Sequence, residues 1–132
     1  PFFIEASHAE VLEWLYGFAH LLSPHIKEVS SDTRQWIHLL GVISNNFINH
    51  LLVEAEQLAA DHGLSFASLH PLVLETIQKA FEISPALAQT GPAARGDQTT
   101  IAKHQQLLTE QAPHLLPLYN LFTEAILKRK KE

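Results

Sequence analysis

From Ser31 or Asp32 to about His62 the chain runs without a proline, and it stops at Gly63. A run of about 30 residues, opened by capping residue types and closed by glycine, predicts one long α-helix. Its apolar residues, Trp36, Leu39, Leu40, Ile43, Phe47 and Leu51 among them, go nearly all the way round. A helix that is apolar on every side is normally buried on every side. Both flanks of this one are therefore expected to be covered, by its neighbours or by a second copy of the chain.

Against that background a polar stripe stands out. His38, Asn45, Asn49 and Glu56 are spaced 7, 4 and 7 apart. At about 100° per residue they project within roughly 20–40° of one direction, with Arg34 just off the line. Asparagine is a weak helix former, and "NNFIN" places three of them together. Such side chains need hydrogen-bond partners if buried. Two readings stay open: bonds to neighbouring helices or a second subunit, or one wall of a substrate cleft. A metal site is not expected. The nine histidines show no HxxxH or HExxH pair, and His50 with Glu54 on one face supplies only two candidate ligands.

The rest of the chain is helical in pattern. "PFFIEA" at the start reads as a short strand or extended tail. Ser7 with Glu10 forms a capping-box pattern opening a helix over roughly His8 to Leu22. "IKEVS" (26–30) alternates and suggests another short strand. Further helices are predicted from about Pro71 to Glu82, from Gln98 to Leu108, and from Pro113 to around Lys130. The fold class is thus all-α, a single domain of about five helices around one long helix.

Between Gln89 and Gly96 the helical pattern breaks in "QTGPAARGD". Gly91-Pro92 is turn chemistry, and Asp97 is placed to cap the next helix. The amides after Asp97, with Arg95 and the hydroxyls of Thr99 and Thr100, resemble the makings of an anion site. Equally, the Asp97 carboxylate can satisfy those amides itself and pair with Arg95. The loop is no P-loop, and the chain holds no GxGxxG.

Composition excludes several functions. At 132 residues with 46% apolar and 17% charged residues, the chain is long enough to bury a core. The net charge of −5, with basic residues gathered only in Lys128–Lys131, argues against a nucleic-acid partner. No apolar run reaches membrane-spanning length. With no cysteine in the chain, a disulfide framework is ruled out and a cytoplasmic setting is expected. The absence of methionine leads to the expectation of a piece of a longer polypeptide.

"PFFIEAS", "TRQWIHLLGVISNNFINHLLVEAEQL" from Thr33, "HPLVLETIQKA" from His70 and "QTGPAARGDQTTIAKHQQLL" from Gln89 resemble the domain-of-unknown-function 2520 family. The GPAARGD segment, with Arg34, His38 and Asn45, is the most specific part of the resemblance. In that family a helical domain follows a Rossmann-like NADP-binding domain. The resemblance implies a fold like the C-terminal domain of 6-phosphogluconate dehydrogenase, with residues 1–7 the exit strand of the nucleotide domain and 8–132 the helical body. It further implies an NAD(P)-dependent oxidoreductase as the whole protein, with NADP held mainly by the other domain. A looser similarity joins "TGPAARGDQTTIAKH" to the substrate-carboxylate loop of pyrroline-5-carboxylate reductases, in the same kind of dimerising domain. This sequence departs from that loop by inserting Ala93 to Asp97.

From these readings the expected site comprises His38 and Asn45 as catalytic groups near a nicotinamide. Asn49, Thr90, Gly91, Arg95, Thr99 and Thr100 are expected to bind a small anionic metabolite, and the loop and the stripe to form one cleft wall. The long helix is expected to mediate a homodimer. The competing expectation is a non-catalytic module that binds a partner or metabolite.

Overall fold

The computed structural model describes residues 1–129; Lys130 and Lys131 of the terminal basic run lie outside them. Along the chain come β1 (Phe2–Ile4), α1 (Ala9–His20), β2 (Ile26–Glu28), α2 (Ser31–Gly41), a π-helical turn (Val42–Asn46) and α3 (Phe47–Asp61). A 3-10 turn (Phe66–Leu69), α4 (His70–Ile83), α5 (Pro85–Ala88), α6 (Pro92–Arg95), α7 (Gln98–Gln111), a second 3-10 turn (Pro113–Leu115) and α8 (Leu116–Arg129) follow. The segments α2, π turn and α3 are continuous and form the expected long helix. The two helices beyond the expected five are the single turns α5 and α6. Two compact units divide the chain, one ending at Ala55 and the other beginning at Glu56.

In the first unit β1 and β2 pair in parallel, Phe2 opposite Ile26, Phe3 opposite Lys27 and Ile4 opposite Glu28. Parallel strands cannot be joined by a tight turn. Here α1 is the crossover and packs on both strands, with Ile4 and Ala19 buried at the centre. The capping box expected at Ser7 does not form. His8 is extended (φ −131°, ψ 138°) and is itself the N-cap, without a side-chain bond. Ser7 therefore falls one place too early, and its hydroxyl meets His8 Nδ1 at 3.1 Å instead.

The long helix also starts one residue from where it was expected. Ser30, extended, accepts the Thr33 amide at 3.3 Å, so Ser31 and Asp32 lie inside the first turn. Its far end closes as glycine chemistry requires. Gly63 takes φ +67° and the Leu64 amide returns to the Ala59 carbonyl at 2.8 Å. The expectation that both flanks are covered fails for this chain by itself. Trp36 is 66% exposed, Leu40 61% and Phe47 56%.

In the second unit α4 packs with the preceding 3-10 turn and with α5, while α6, α7 and α8 pack on one another. Small residues let these last three approach: Ala93, Ala112 and Thr123 are buried with Ile101. Polar pairs join α7 to α8, Gln105 Nε2 donating to Asn120 Oδ1 at 2.8 Å and His104 Nδ1 meeting the Tyr119 hydroxyl at 3.0 Å. Among the described residues no helix is long and apolar enough to cross a membrane.

Candidate functional site

The expected site residues fall in both units, and each group is described by itself. His38, Asn45 and Asn49 belong to the first unit and all are exposed. The stripe they were expected to form does not run straight, because the helix between them is not α throughout. From Val42 to Asn46 the backbone is π-helical, closed by the Phe47 amide on the Val42 carbonyl. A π turn spends more residues per turn than an α turn. Residues beyond it are therefore set back relative to His38, and the spacing of 7 from His38 to Asn45 loses its meaning as one face. Asn49 and Glu56 both lie within α3 and keep their alignment. Inside the turn the Ser44 hydroxyl donates to the Leu40 carbonyl at 2.7 Å, and Asn45 Nδ2 donates to Asn46 Oδ1 at 3.2 Å. The local signal was present in "SNN", three residues whose side chains compete with helical hydrogen bonds.

A residue absent from the expected site organises the start of the same helix. Glu5, just after β1, receives the Ser31 amide on Oε1 at 3.0 Å and the Ser31 hydroxyl on Oε2 at 2.6 Å. Arg34 Nη2 pairs with the same Oε2 at 2.5 Å. A carboxylate at a helix N-terminus satisfies donors that have no partner within the helix and meets the positive end of the helix dipole. The Ser31 hydroxyl above all, then the Ser31 amide and the Arg34 charge, hold the Glu5 carboxyl below its ordinary value against the opposing effect of desolvation. Arg34, singled out by the family resemblance, is thus a partner of Glu5.

In the second unit the expected break between Gln89 and Gly96 holds one helical turn, Pro92–Arg95. Gly91 (φ +98°, ψ 178°) and Gly96 (φ +74°) bracket the single turn α6. The Gly91 conformation is one that only glycine adopts readily. A Cβ there would meet nothing within 4 Å, so glycine is needed for its backbone and not for room. Asp97 caps α7, accepting the Thr100 amide at 3.0 Å and the Thr100 hydroxyl at 2.7 Å. The Thr100 hydroxyl, its amide, and then the Arg95 and Lys103 charges keep the Asp97 carboxyl below its ordinary value, while desolvation opposes them. Of the two readings left open for this loop, the self-capped one describes Thr100. Thr90, Thr99 and Arg95 are exposed, and Gly91 is half-buried.

His50 Nε2 lies 3.5 Å from Glu54 Oε1, and among the described residues no group of three or more histidine or acidic side chains is placed to hold a metal.

The family described as domain of unknown function (DUF2520) matches residues 1–126. The chain belongs to this family. The solved structure of a protein named putative NADP oxidoreductase, from Bacteroides fragilis, superposes with a TM-score of 0.92 at 38% identity, over 97% of this chain and 49% of that one. The DUF2520 chain therefore spans about half the length of that relative and resembles its C-terminal half. No curated protein matches it.

The turn from β1 to α1 does not fit a dinucleotide pyrophosphate. A dinucleotide pyrophosphate needs glycines in the first strand-to-helix turn so that the backbone can approach it. Here the turn from β1 to α1 reads Glu-Ala-Ser-His, without glycine, and its carboxylate is engaged with Ser31 and Arg34.

Proposed function

We propose that this DUF2520 chain is the dimerisation and substrate-positioning part of an NADP-dependent oxidoreductase whose nucleotide is bound by another part of the protein. The observation that carries the reading is the match of nearly the whole chain to half of a protein named for NADP oxidoreduction. A division of labour follows, in which the nucleotide half delivers hydride and this half orients the substrate and supplies charge. His38 and Asn45 are assigned to hydrogen-bond a carbonyl or hydroxyl near the nicotinamide, and Asn49 in α3 to the substrate. Thr90, Gly91, Arg95 and Thr99 are assigned to a small anionic metabolite; Thr100 is left out, because Asp97 takes its amide and hydroxyl.

Dimerisation is assigned to the long helix. Large apolar side chains standing more than half exposed along one helix are an interaction surface by ordinary criteria, and a second copy of the same helix is the simplest cover for them.

The test uses the full-length protein. NADP binding is measured by calorimetry with the full-length protein and with residues 1–132, and is expected only in the former. Arg95→Ala and Asn45→Ala are then made in the full-length protein and assayed for reduction across a panel of small carboxylate-bearing carbonyl and imine substrates. If both variants fold and turn over substrate like the parent, the assignment of these residues to the substrate is wrong. Micromolar NADP affinity in residues 1–132 alone would overturn the division of labour.

A further inference from the structure

We infer that the dimer has a second contact, in which Leu74, Ile77 and Phe81 of α4 pack against a second copy of the chain. The inference rests on the dimer reading proposed above and extends it from the long helix to the second unit.

The state of α4 is the first observation. None of its residues is buried; Val73 and Ala80 are half-buried and the rest are exposed. A helix of 14 residues is marginal by itself, and in a folded protein it is held by the covering of its apolar side. Leu74, Ile77 and Phe81 fall within about 60° of one another around the helix, and Val73 and Ala80 lie to one side of them. Phe81 is 85% exposed and Leu74 68%. The polar side chains beside this face are engaged along the helix. Gln78 Nε2 donates to Glu82 Oε1 at 2.7 Å, and Lys79 pairs with Glu75 at 2.5 Å. The face can therefore lose its water without stranding a charge.

Area decides what the cover is. The chain exposes 10388 Å². Two separate compact globules with the masses of its two units would together expose about 8,300 Å². Roughly 2,000 Å² is thus in excess, even with the units counted apart. An interface between domains of one chain buries about 600–1,500 Å² over both sides, so another domain takes at most about 750 Å² of it. About 1,250 Å² per chain is left, and two copies burying it against each other give about 2,500 Å², within the range of permanent homodimers.

The long helix does not supply that area by itself. One face of 31 residues, about 46 Å long and 10–12 Å across, presents roughly 500 Å². In the relative the unmatched half precedes the matched one, and a chain continuing from it enters the first unit at β1. Its cover falls there first, whereas α4 lies in the second unit.

Sedimentation of the full-length protein over a range of concentrations tests the inference with Leu74→Glu, Phe81→Glu and Leu72→Glu. Leu72 is also more than half exposed but lies opposite Phe81 around the helix. The first two variants are expected to raise the dissociation constant by more than about tenfold, and Leu72→Glu to leave it unchanged. Hydroxyl-radical oxidation of Phe81 in the parent protein needs no substitution, and is expected to rise several-fold on dilution through the dissociation constant. Association of Leu74→Glu and Phe81→Glu like the parent, or oxidation of Phe81 that does not change on dilution, overturns the inference. Leu40→Asp, made beside them, separates the two contacts. Loss of association in Leu40→Asp alone keeps the long helix and sinks the α4 contact. Loss in the α4 variants alone keeps that contact and removes the long helix from the dimer. A parent protein that stays monomeric removes both.

Discussion

The long helix and the α6–α7–α8 cluster are both rich in apolar residues, yet they treat them in opposite ways. In the cluster the buried positions are mostly small, Ala93, Ala112 and Thr123, with Ile101 as the one large side chain among them. Small residues bring helices close, and close helices exclude water from whatever lies between. On the long helix the large residues Trp36, Leu40, Ile43 and Phe47 stand out from the backbone, more than half exposed, and Ala59 is the one buried position in α3. The difference teaches that apolar content does not by itself say where a core is. The cluster closes over its apolar side chains, whereas the large apolar side chains of the helix stand exposed.

The largest expected effect tests the closed side of that comparison. Ile101 is 4% exposed, and Ile101→Ala should lower unfolding stability by about 3 kcal/mol, the usual range for truncating a buried aliphatic side chain. Urea titration measures it. Leu40→Ala, on the bare side, should cost a small fraction of that in the dissociated chain. Equal costs at the two positions would erase the contrast.

Next comes the exposed apolar face of the long helix. Leu40→Asp is expected to leave the circular dichroism spectrum intact and to weaken self-association by more than about tenfold, or roughly 1.4 kcal/mol. Sedimentation at several concentrations reads this directly. A parent chain that stays monomeric at high micromolar concentration would remove the dimer proposal before any variant is made.

A finer comparison is between the two carboxylates that hold helix N-termini. Both Glu5 and Asp97 have lowered pKa values, each chiefly through a hydroxyl, that of Ser31 and of Thr100 respectively. A carboxyl whose pKa is lower in the folded state stabilises it above the unfolded value. That contribution is fully present at neutral pH and is lost as pH falls below about 4, through the folded values. Glu5→Gln and Asp97→Asn should each lower the melting temperature by a few degrees at pH 7. The differences from the parent should shrink toward zero at pH 3. A difference that persists unchanged at pH 3 would show that packing, not charge, is at work.

The smallest expected effect is at Glu75 and Lys79, 2.5 Å apart on the surface of α4. Glu75→Ala should leave the melting temperature within measurement error, since exposed pairs at this spacing contribute little.

Much of this fold was legible without coordinates because it is written in local chemistry. Gly63 ends the long helix, Asp97 opens α7 and Pro92 begins a turn. Each of these depends on the residue and its immediate neighbours, on a left-handed φ, a side chain reaching three residues on, or a fixed ring. The extent of the long helix and the family resemblance of "GPAARGD" were legible for the same reason. Where competing local signals lay side by side, as at Ser30 and Ser31 or Ser7 and His8, the helix start moved by one residue.

What only the tertiary structure decided involves residues far apart or a cumulative geometry. Glu5 reaches Ser31 across 26 positions, and no spacing rule links them, because β1 and β2 must first pair around α1 to bring the two together. The π turn is a change in residues per turn, so a stripe counted at a constant angle fails beyond Val42. Burial depended on packing distance: periodicity named the apolar residues of the long helix and of α7 alike. The close approach that small side chains permit closed the one over Ile101, while the other, with Trp36 and Leu40 on its surface, was left open.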